Sequence, residues 1–468
     1  MTRAFDRASI SSRRAVVALA VAALAAVLLW TRPDLALRTA VGLTAHTLCG
    51  AAFTQHVDVD ATFGELVQPM ASVAGPFLRY EVDRQGSTVS ASILGLLTRK
   101  AEWTEGYGCR LIIDSRYRSP PPVAPGGVSP NDEPWPPTLV PSVDPRLRAA
   151  VEELFREPGD HHRYLKALVI VKERRIIAER YAPGFGVETP LLSYSVAKSF
   201  TNAFLGILVR QGRLRVDQAV GAPEWSGPGD PRHAITLEDL LRMESGTSAV
   251  ETGSGFDPAS QMLYVHDDMA GYVASFALAR PPRTAWEYTS ANTLVLDRAL
   301  GAAVGGGAPG FRAFAERELF QPLHMNGVTL EFDGTGVFVG STHVYAPARA
   351  FARFGLLYLN DGVAPDGRRI LPEGWVGFSR RSTLGAPYGA GFWTNDGPSR
   401  QAARLVDLGL PKDGFFASGN RGQRIYVVPS ERMVMVRFGY TAGDTFDIAA
   451  DLAVLRTAIE VSRRPSTD

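Results

Sequence analysis

Two strand hairpins far apart in the chain bracket a long helix-rich stretch, and that pattern restricts the fold. The first hairpin runs over 165–171, turns at Lys172-Glu173-Arg174 and returns over 175–181. The second runs over 424–428, turns at Pro429-Ser430-Glu431-Arg432 and returns over 433–437. Each is a pair of short apolar runs split by turn residues. Helical patterns at 146–155 and about 446–462 flank them. Strands from both ends with helices between predict one antiparallel sheet built from N- and C-terminal pieces. The helical insert then forms a second lobe, with a cleft at the junction. The expected class is α+β: an antiparallel sheet flanked by helices, a mainly helical lobe and a small N-terminal module.

This domain occupies 146–468, and the chain before it divides further. Residues 15–30 are one uninterrupted apolar run behind Arg3, Arg7, Arg13 and Arg14. That order leaves the N-terminus in the cytoplasm and sends the rest outside. As a helix the run spans about 24 Å, slightly short of the ~30 Å hydrocarbon core. It reads as a signal peptide or an uncleaved anchor. Thr31-Arg32-Pro33-Asp34 follows with no small-x-small cleavage site, which favours the anchor. Residues 1–39 are therefore a tail plus signal-anchor or signal peptide. The rest is expected to face the periplasm from the inner membrane, or to be exported. Residues 40–119 form the small module, with strand-like alternation at 57–60, 78–82 and 88–92. Residues 120–145 include Pro120-Pro121-Pro122 and Pro134-Trp135-Pro136-Pro137, the composition of a semi-rigid extended connector. Cys49 and Cys109 are the only cysteines. In an oxidising compartment they can pair, worth about 4 kcal/mol in the chain-entropy model. Otherwise they are two buried thiols.

Charge excludes one class of partner. Formal net charge is +1 and basic residues form only short pairs such as Arg174-Arg175, so nothing points to nucleic acid. The type of cation is more informative. There are five lysines: Lys100, Lys166, Lys172, Lys198 and Lys412. Lys198 alone follows a serine by three residues, in Ser195-Val196-Ala197-Lys198. On a helix such positions share a face, roughly 5–6 Å apart at Cβ. A serine is a weak nucleophile until a neighbouring base takes its proton. A desolvated lysine can be that base, whereas arginine cannot. Phe200, Phe204, Leu205, Ile207 and Leu208 follow at the spacing of a buried helix that Gly212 closes. Ser195 is then expected in the first turn, where the helix dipole favours developing negative charge. The plain alternative is an exposed serine before a solvated lysine.

Other chemistries lack their residues. There is no His-Glu-x-x-His, no Cys-x-x-Cys and no Gly-x-Ser-x-Gly. No metal or cofactor is expected. His161-His162 and His266-Asp267-Asp268 read as loops, and Gly305-Gly306-Gly307 as a turn.

Several segments, in order, resemble the serine β-lactamase-related hydrolases over about 145–460. The class C and esterase-like branch, with the 6-aminohexanoate-dimer hydrolase-like proteins, is the nearest. Ser195-Val196-Ala197-Lys198 matches the nucleophile motif. Ile235 to Gly246 matches a helix and Ser-Gly turn, and Trp286-Glu287-Tyr288-Thr289-Ser290-Ala291-Asn292 the catalytic tyrosine segment. Tyr345-Ala346-Pro347-Ala348-Arg349, Phe354 to Leu359 and Ile370 to Trp375 match non-catalytic landmarks. Ala417-Ser418-Gly419-Asn420 matches the third active-site strand. The resemblance implies a β-lactamase/penicillin-binding-protein-like fold. It implies Ser195 as acyl-forming nucleophile, with Lys198 and Tyr288 as proton-transfer partners. The N–H groups of Ser195 and Asn420 would form the oxyanion hole, and Ser290, Ser418 and Gly419 would line the substrate cleft. The implied substrate is a small ester, amide or peptide, with the apolar N-terminal run as a membrane contact.

Three departures bear on this. Where class C enzymes carry Tyr-x-Asn, Ser290 stands two after Tyr288. Their Lys-Thr-Gly is Ala417-Ser418-Gly419 here, which removes the cation that would grip a β-lactam carboxylate. Ala350 replaces the family's acidic residue after Ala-x-Ala-Arg. A D-amino-acid peptidase or penicillin-recognising enzyme, and a silent envelope-binding protein, are the alternatives.

Overall fold

The computed structural model describes residues 32–124, 135–159, 161–442 and 447–463. The apolar run at 15–30 lies outside them. Among the described residues no helix is long and apolar enough to cross a membrane.

The module opens with helix α1 (Pro33–Cys49), which has proline in its first turn and Asp34 beside Arg32 and Arg38. The boundary expected at 39/40 thus falls inside a helix. Next comes an antiparallel meander of β1 (Leu78–Asp83), β2 (Thr88–Ile93), β3 (Leu97–Thr104) and β4 (Gly108–Ile112). The strand expected at 57–60 is absent. Asp58 instead caps the short helix Val59–Thr62, accepting the Ala61 N–H at 2.9 Å. An aspartate cap mimics polar–apolar alternation over so few residues.

The catalytic-type domain contains α2 (Pro145–Phe155), β5 (Leu165–Lys172), β6 (Arg175–Tyr181), α3 (Ala197–Arg210), α4 (Ser290–Val304) and α5 (Ala348–Leu359). It continues through β7 (Trp393–Thr394), β8 (Phe415–Gly419), β9 (Gln423–Val428), β10 (Met433–Gly439) and α6 (Ile448–Ser462). The sheet order is β7-β8-β9-β10-β5-β6, antiparallel throughout. Its closing register, Val434 opposite Val171 and Met435 opposite Ile170, joins the two ends of the chain as expected. Alternate residues serve opposite faces. Ile170 and Met435 pack with Leu147 and Leu455 of α2 and α6, while Val169 and Val434 pack toward Phe200 and Phe354 of α3 and α5. Both faces are covered, so these strands are apolar without interruption.

The module is not held at a distance. Val41, Leu48 and Phe53 share one core with Val196 and Phe200. A Cys49–Cys109 disulfide joins the end of α1 to β4, with Cα atoms 6.1 Å apart. Buried Glu331 accepts the Cys109 N–H at 2.6 Å and lies 2.7 Å from His46 Nε2. Asp267 accepts the Asp114 N–H at 2.6 Å and lies 3.3 Å from Arg110, so the 266–268 stretch is a strut and not a solvated loop. The connector from Trp135 onward is tied down as well. Trp135 donates to the Arg174 carbonyl at 2.8 Å and the Val140 N–H to Glu179 at 2.6 Å. Buried Arg349 donates to Glu179 and to the carbonyls of Pro136 and Thr138. That clamp gives the Arg349 landmark a structural role.

Candidate active site

Ser195 stands in a 3-10 turn, Tyr194–Val196, that leads directly into α3. Tyr194 takes φ 44°, a left-handed conformation that is costly for a bulky residue. The kink turns the chain sharply from the short strand Leu191–Leu192 into the helix and leaves Ser195 partly exposed while its neighbours are buried. Gly212, with φ +69°, follows the end of α3.

Lys198 is fully buried one turn on. Its Nζ donates to Ser195 Oγ at 3.1 Å, Ser290 Oγ at 2.9 Å and the Ser341 carbonyl at 3.0 Å. It also lies 4.8 Å from the Tyr288 ring centroid. Loss of water pulls its pKa down to about 8, against the opposing charges of Glu251 and Asp297. Tyr288 is packed by Tyr388 and Trp393, with centroids 5.7 and 5.6 Å away. Burial, then the Glu251 carboxylate, push its phenol well above the ordinary range, while a hydrogen bond with the Ser195 side chain acts the other way. The phenol therefore keeps its proton near neutrality.

The end of β8 closes the other side. A Cβ at Gly419 would collide with the Ser193 carbonyl and sit 3.1 Å from the Ser195 amide nitrogen. Glycine lets this backbone approach the Ser195 amide. Asn420 follows and lines, with Ser195, a cavity of about 630 Å³. Ser418 lies on the same strand face as Phe416, away from Ala417 and Gly419. It lines a second cavity of about 510 Å³ with Trp393, Arg404 and Arg424, not the one at Ser195. Ser290 sits beneath Lys198 as its hydrogen-bond acceptor.

Three participants carried no sequence signal. Glu251 lines the cavity and accepts the Ser290 N–H. Ser341 offers only its carbonyl. Asp297, buried on α4, accepts Thr201 at 2.7 Å and the Gly340 N–H at 3.0 Å, and burial pushes its carboxyl well up. We expect Glu251→Gln to lower the Lys198 pKa further, because it removes the first of the two charges that hold it up. With five lysines in the chain, ¹³C NMR of labelled lysine can follow this directly. An unchanged midpoint would remove Glu251 from the electrostatics of the site.

Among the described residues one cluster has metal-ligand composition: His46, Glu331 and His343. The two imidazoles stack at 4.1 Å and 18°. A metal lies in the plane of each imidazole that binds it, and near-parallel stacked rings offer no shared point. The cluster is a hydrogen-bonded strut between α1 and the larger domain.

The antiparallel sheet and the serine–lysine pair at the start of α3 are the arrangement of a β-lactamase-type domain. Residues 151–458 match the family model described as Beta-lactamase, well over half of the chain. The chain belongs to the β-lactamase family. It is 28% identical over 230 residues to the 6-aminohexanoate-dimer hydrolase of Paenarthrobacter ureafaciens, covering 45% of this chain and 55% of that protein. The chain thus spans about half the length of this curated relative. Among solved structures, a Bacillus anthracis protein assigned as a 6-aminohexanoate-dimer hydrolase superposes with TM-score 0.54 at 19% identity, over 65% of this chain and 81% of that one. EstCE1, a hydrolase with promiscuous acyltransferase activity, gives 0.51 at 15% identity, over 67% and 97%. At these identities the two structures speak to fold, and the fold is the one expected.

Proposed function

We propose that this protein cleaves an ester or amide through an acyl-enzyme on Ser195. The observation that carries the reading is the buried Lys198 amine, 3.1 Å from a partly exposed Ser195 hydroxyl, with its pKa drawn down to about 8. Neutral Lys198 takes the serine proton as Oγ attacks the substrate carbonyl. The amides of Ser195 and Asn420 hold the oxyanion. The Tyr288 hydroxyl gives its proton to the leaving group and regains one from the Lys198 ammonium. Water then attacks the acyl-enzyme, returning the serine proton and releasing the acid. The curated relative's name supports keeping amides beside esters.

Recognition of penicillins is the weaker reading. Among the described residues lining the cavity, the one charged side chain is Glu251, which repels a carboxylate. We also propose that the domain lies outside the cytoplasm, either anchored through 15–30 or exported. A disulfide on α1 and β4 supports that compartment.

A fluorophosphonate probe followed by peptide mass spectrometry tests the proposal on the full chain. We expect one adduct, on Ser195, and little labelling by a fluorescent penicillin. A folded protein that takes up neither probe would leave only the binding role.

A further inference from the structure

We infer that the natural substrate carries a long, flexible apolar chain on its scissile ester or amide, and that α1 forms part of the trough that holds it. This rests on the hydrolase reading above and names its substrate class. The cavity at Ser195 measures about 630 Å³, within the ~300–1,000 Å³ of sites that enclose whole small molecules. An acetyl group would leave most of it empty.

The walls say what fills it. One side is α1 and the segment after it, presenting Ala36, Leu37, Ala40, Leu43, Met70 and Val73. Phe256, Ala259 and Leu263 also line it. Several of the polar groups there are already engaged. The Thr39 hydroxyl bonds the Leu35 carbonyl at 2.9 Å, and the Ser254 and Ser260 hydroxyls bond Asp257 at 3.3 and 2.8 Å. A polar substrate finds few partners along this wall, and an unpaired polar group in it would lose its water without compensation. Glu251, the single charged side chain among the described lining residues, contacts the backbone of Ser290 beside the catalytic lysine and disfavours a free fatty acid as ligand.

Three of the lining side chains are also left in water. Leu37, Val73 and Phe256 are 39%, 87% and 54% exposed. Isolated exposed apolar residues are ordinary. Here three of them line one cavity that also contains the reactive serine. That arrangement suits a ligand whose chain leaves an apolar phase and enters an apolar cavity.

The test is a series of p-nitrophenyl esters from two to twelve carbons, using the full chain reconstituted in phosphatidylcholine nanodiscs so that no detergent competes. Each buried methylene should raise kcat/KM about two- to fourfold. We expect a rise of at least about fiftyfold from the two-carbon to the eight-carbon ester. Ala259→Phe, which intrudes on the trough, should lower the eight-to-two-carbon ratio severalfold. Val73→Asp, at an exposed position that tolerates charge, should lower it too. Presenting a decanoyl ester in free solution or in phosphatidylcholine vesicles separates a soluble acyl substrate from a bilayer lipid by which is hydrolysed faster. A profile that is flat or falls beyond four carbons, in protein whose Ser195 takes the fluorophosphonate, overturns the chain inference and leaves the hydrolase standing. Loss of the labelling itself would overturn the reading beneath it.

Discussion

Lys198→Arg is expected to lower kcat/KM by about a thousandfold, within the ~10²–10⁴ that positioned proton transfer contributes. Arginine keeps a positive charge and enough N–H groups for Ser195, Ser290 and Ser341, so a purely electrostatic or structural lysine would survive the change. It cannot release a proton, so a basic lysine would not survive. Ser195→Ala should take the remaining rate to background. The pH profile gives an independent reading. In the proposed mechanism the active form is the neutral amine, so wild-type kcat/KM should climb as pH rises toward about 8 and level above it. Lys198→Arg should lack this limb. Stability follows the same proton. The folded-state pKa lies below the ordinary 10.5, so the unfolded chain binds the extra proton between about 8 and 10.5. Stability contributed by this group therefore rises with pH across that window. Below 8 both states are protonated and the slope vanishes. Thermal unfolding of both variants at pH 7 separates lost chemistry from lost folding. If Lys198→Arg retains a tenth of wild-type activity, the lysine is not the base.

What could be read in advance and what could not divide along contact range. The Ser195–Lys198 spacing is local, and the α3 helix delivers it. The antiparallel sheet was legible because each hairpin carries its own turn, and the only closure that buries both faces pairs β10 with β5. Ser290 was legible as a site residue, but its pairing with Lys198 across 92 residues was not, and Ser341, 143 residues away, offers a bare carbonyl that any residue supplies. Glu251 looked like any other of the 48 acidic residues until the fold brought it to the cavity. Ser418 was assigned by motif position, yet alternation along β8 puts it on Phe416's side. The module's boundary failed for a related reason. Thr31-Arg32-Pro33-Asp34 marks a polar break where α1 begins, but Leu35, Ala36 and Leu37 resume the apolar character beyond it, and a boundary at 39/40 passes over the helix start.

Asp451→Ala should lower the unfolding midpoint by on the order of 10 °C, the largest stability effect we expect from one side chain. Asp451 lies fully buried on α6, with Oδ2 2.5 Å from Arg424 and 3.1 Å from the Tyr426 hydroxyl, and Oδ1 3.2 Å from Arg437 Nε. Both arginines are buried too, so the Asp451 carboxylate faces two guanidiniums in a low-dielectric layer. Burial pulls the Arg437 guanidinium down, and the charge of Asp451 works against it. Removing one partner of such a group costs about 3–5 kcal/mol, because the charges left behind cannot recover their water. That is a large fraction of the ~5–15 kcal/mol that holds a protein folded. Asp451→Asn, which keeps an acceptor without the charge, should fall between. The same cluster bears on the site. Arg437 Nη1 donates to the Gly422 carbonyl at 2.9 Å, in the turn that follows Asn420 and the end of β8. Replacing Asp451, Arg424 and Arg437 together by apolar residues should recover most of the lost stability, since such replacements are often neutral. Fluorophosphonate labelling of Ser195 should nonetheless stay slow in that triple variant, because the turn has lost its guanidinium. Recovery of both stability and labelling would make the cluster purely structural, and an Asp451→Ala protein melting within 2 °C of wild type would mean that the buried charges find another partner.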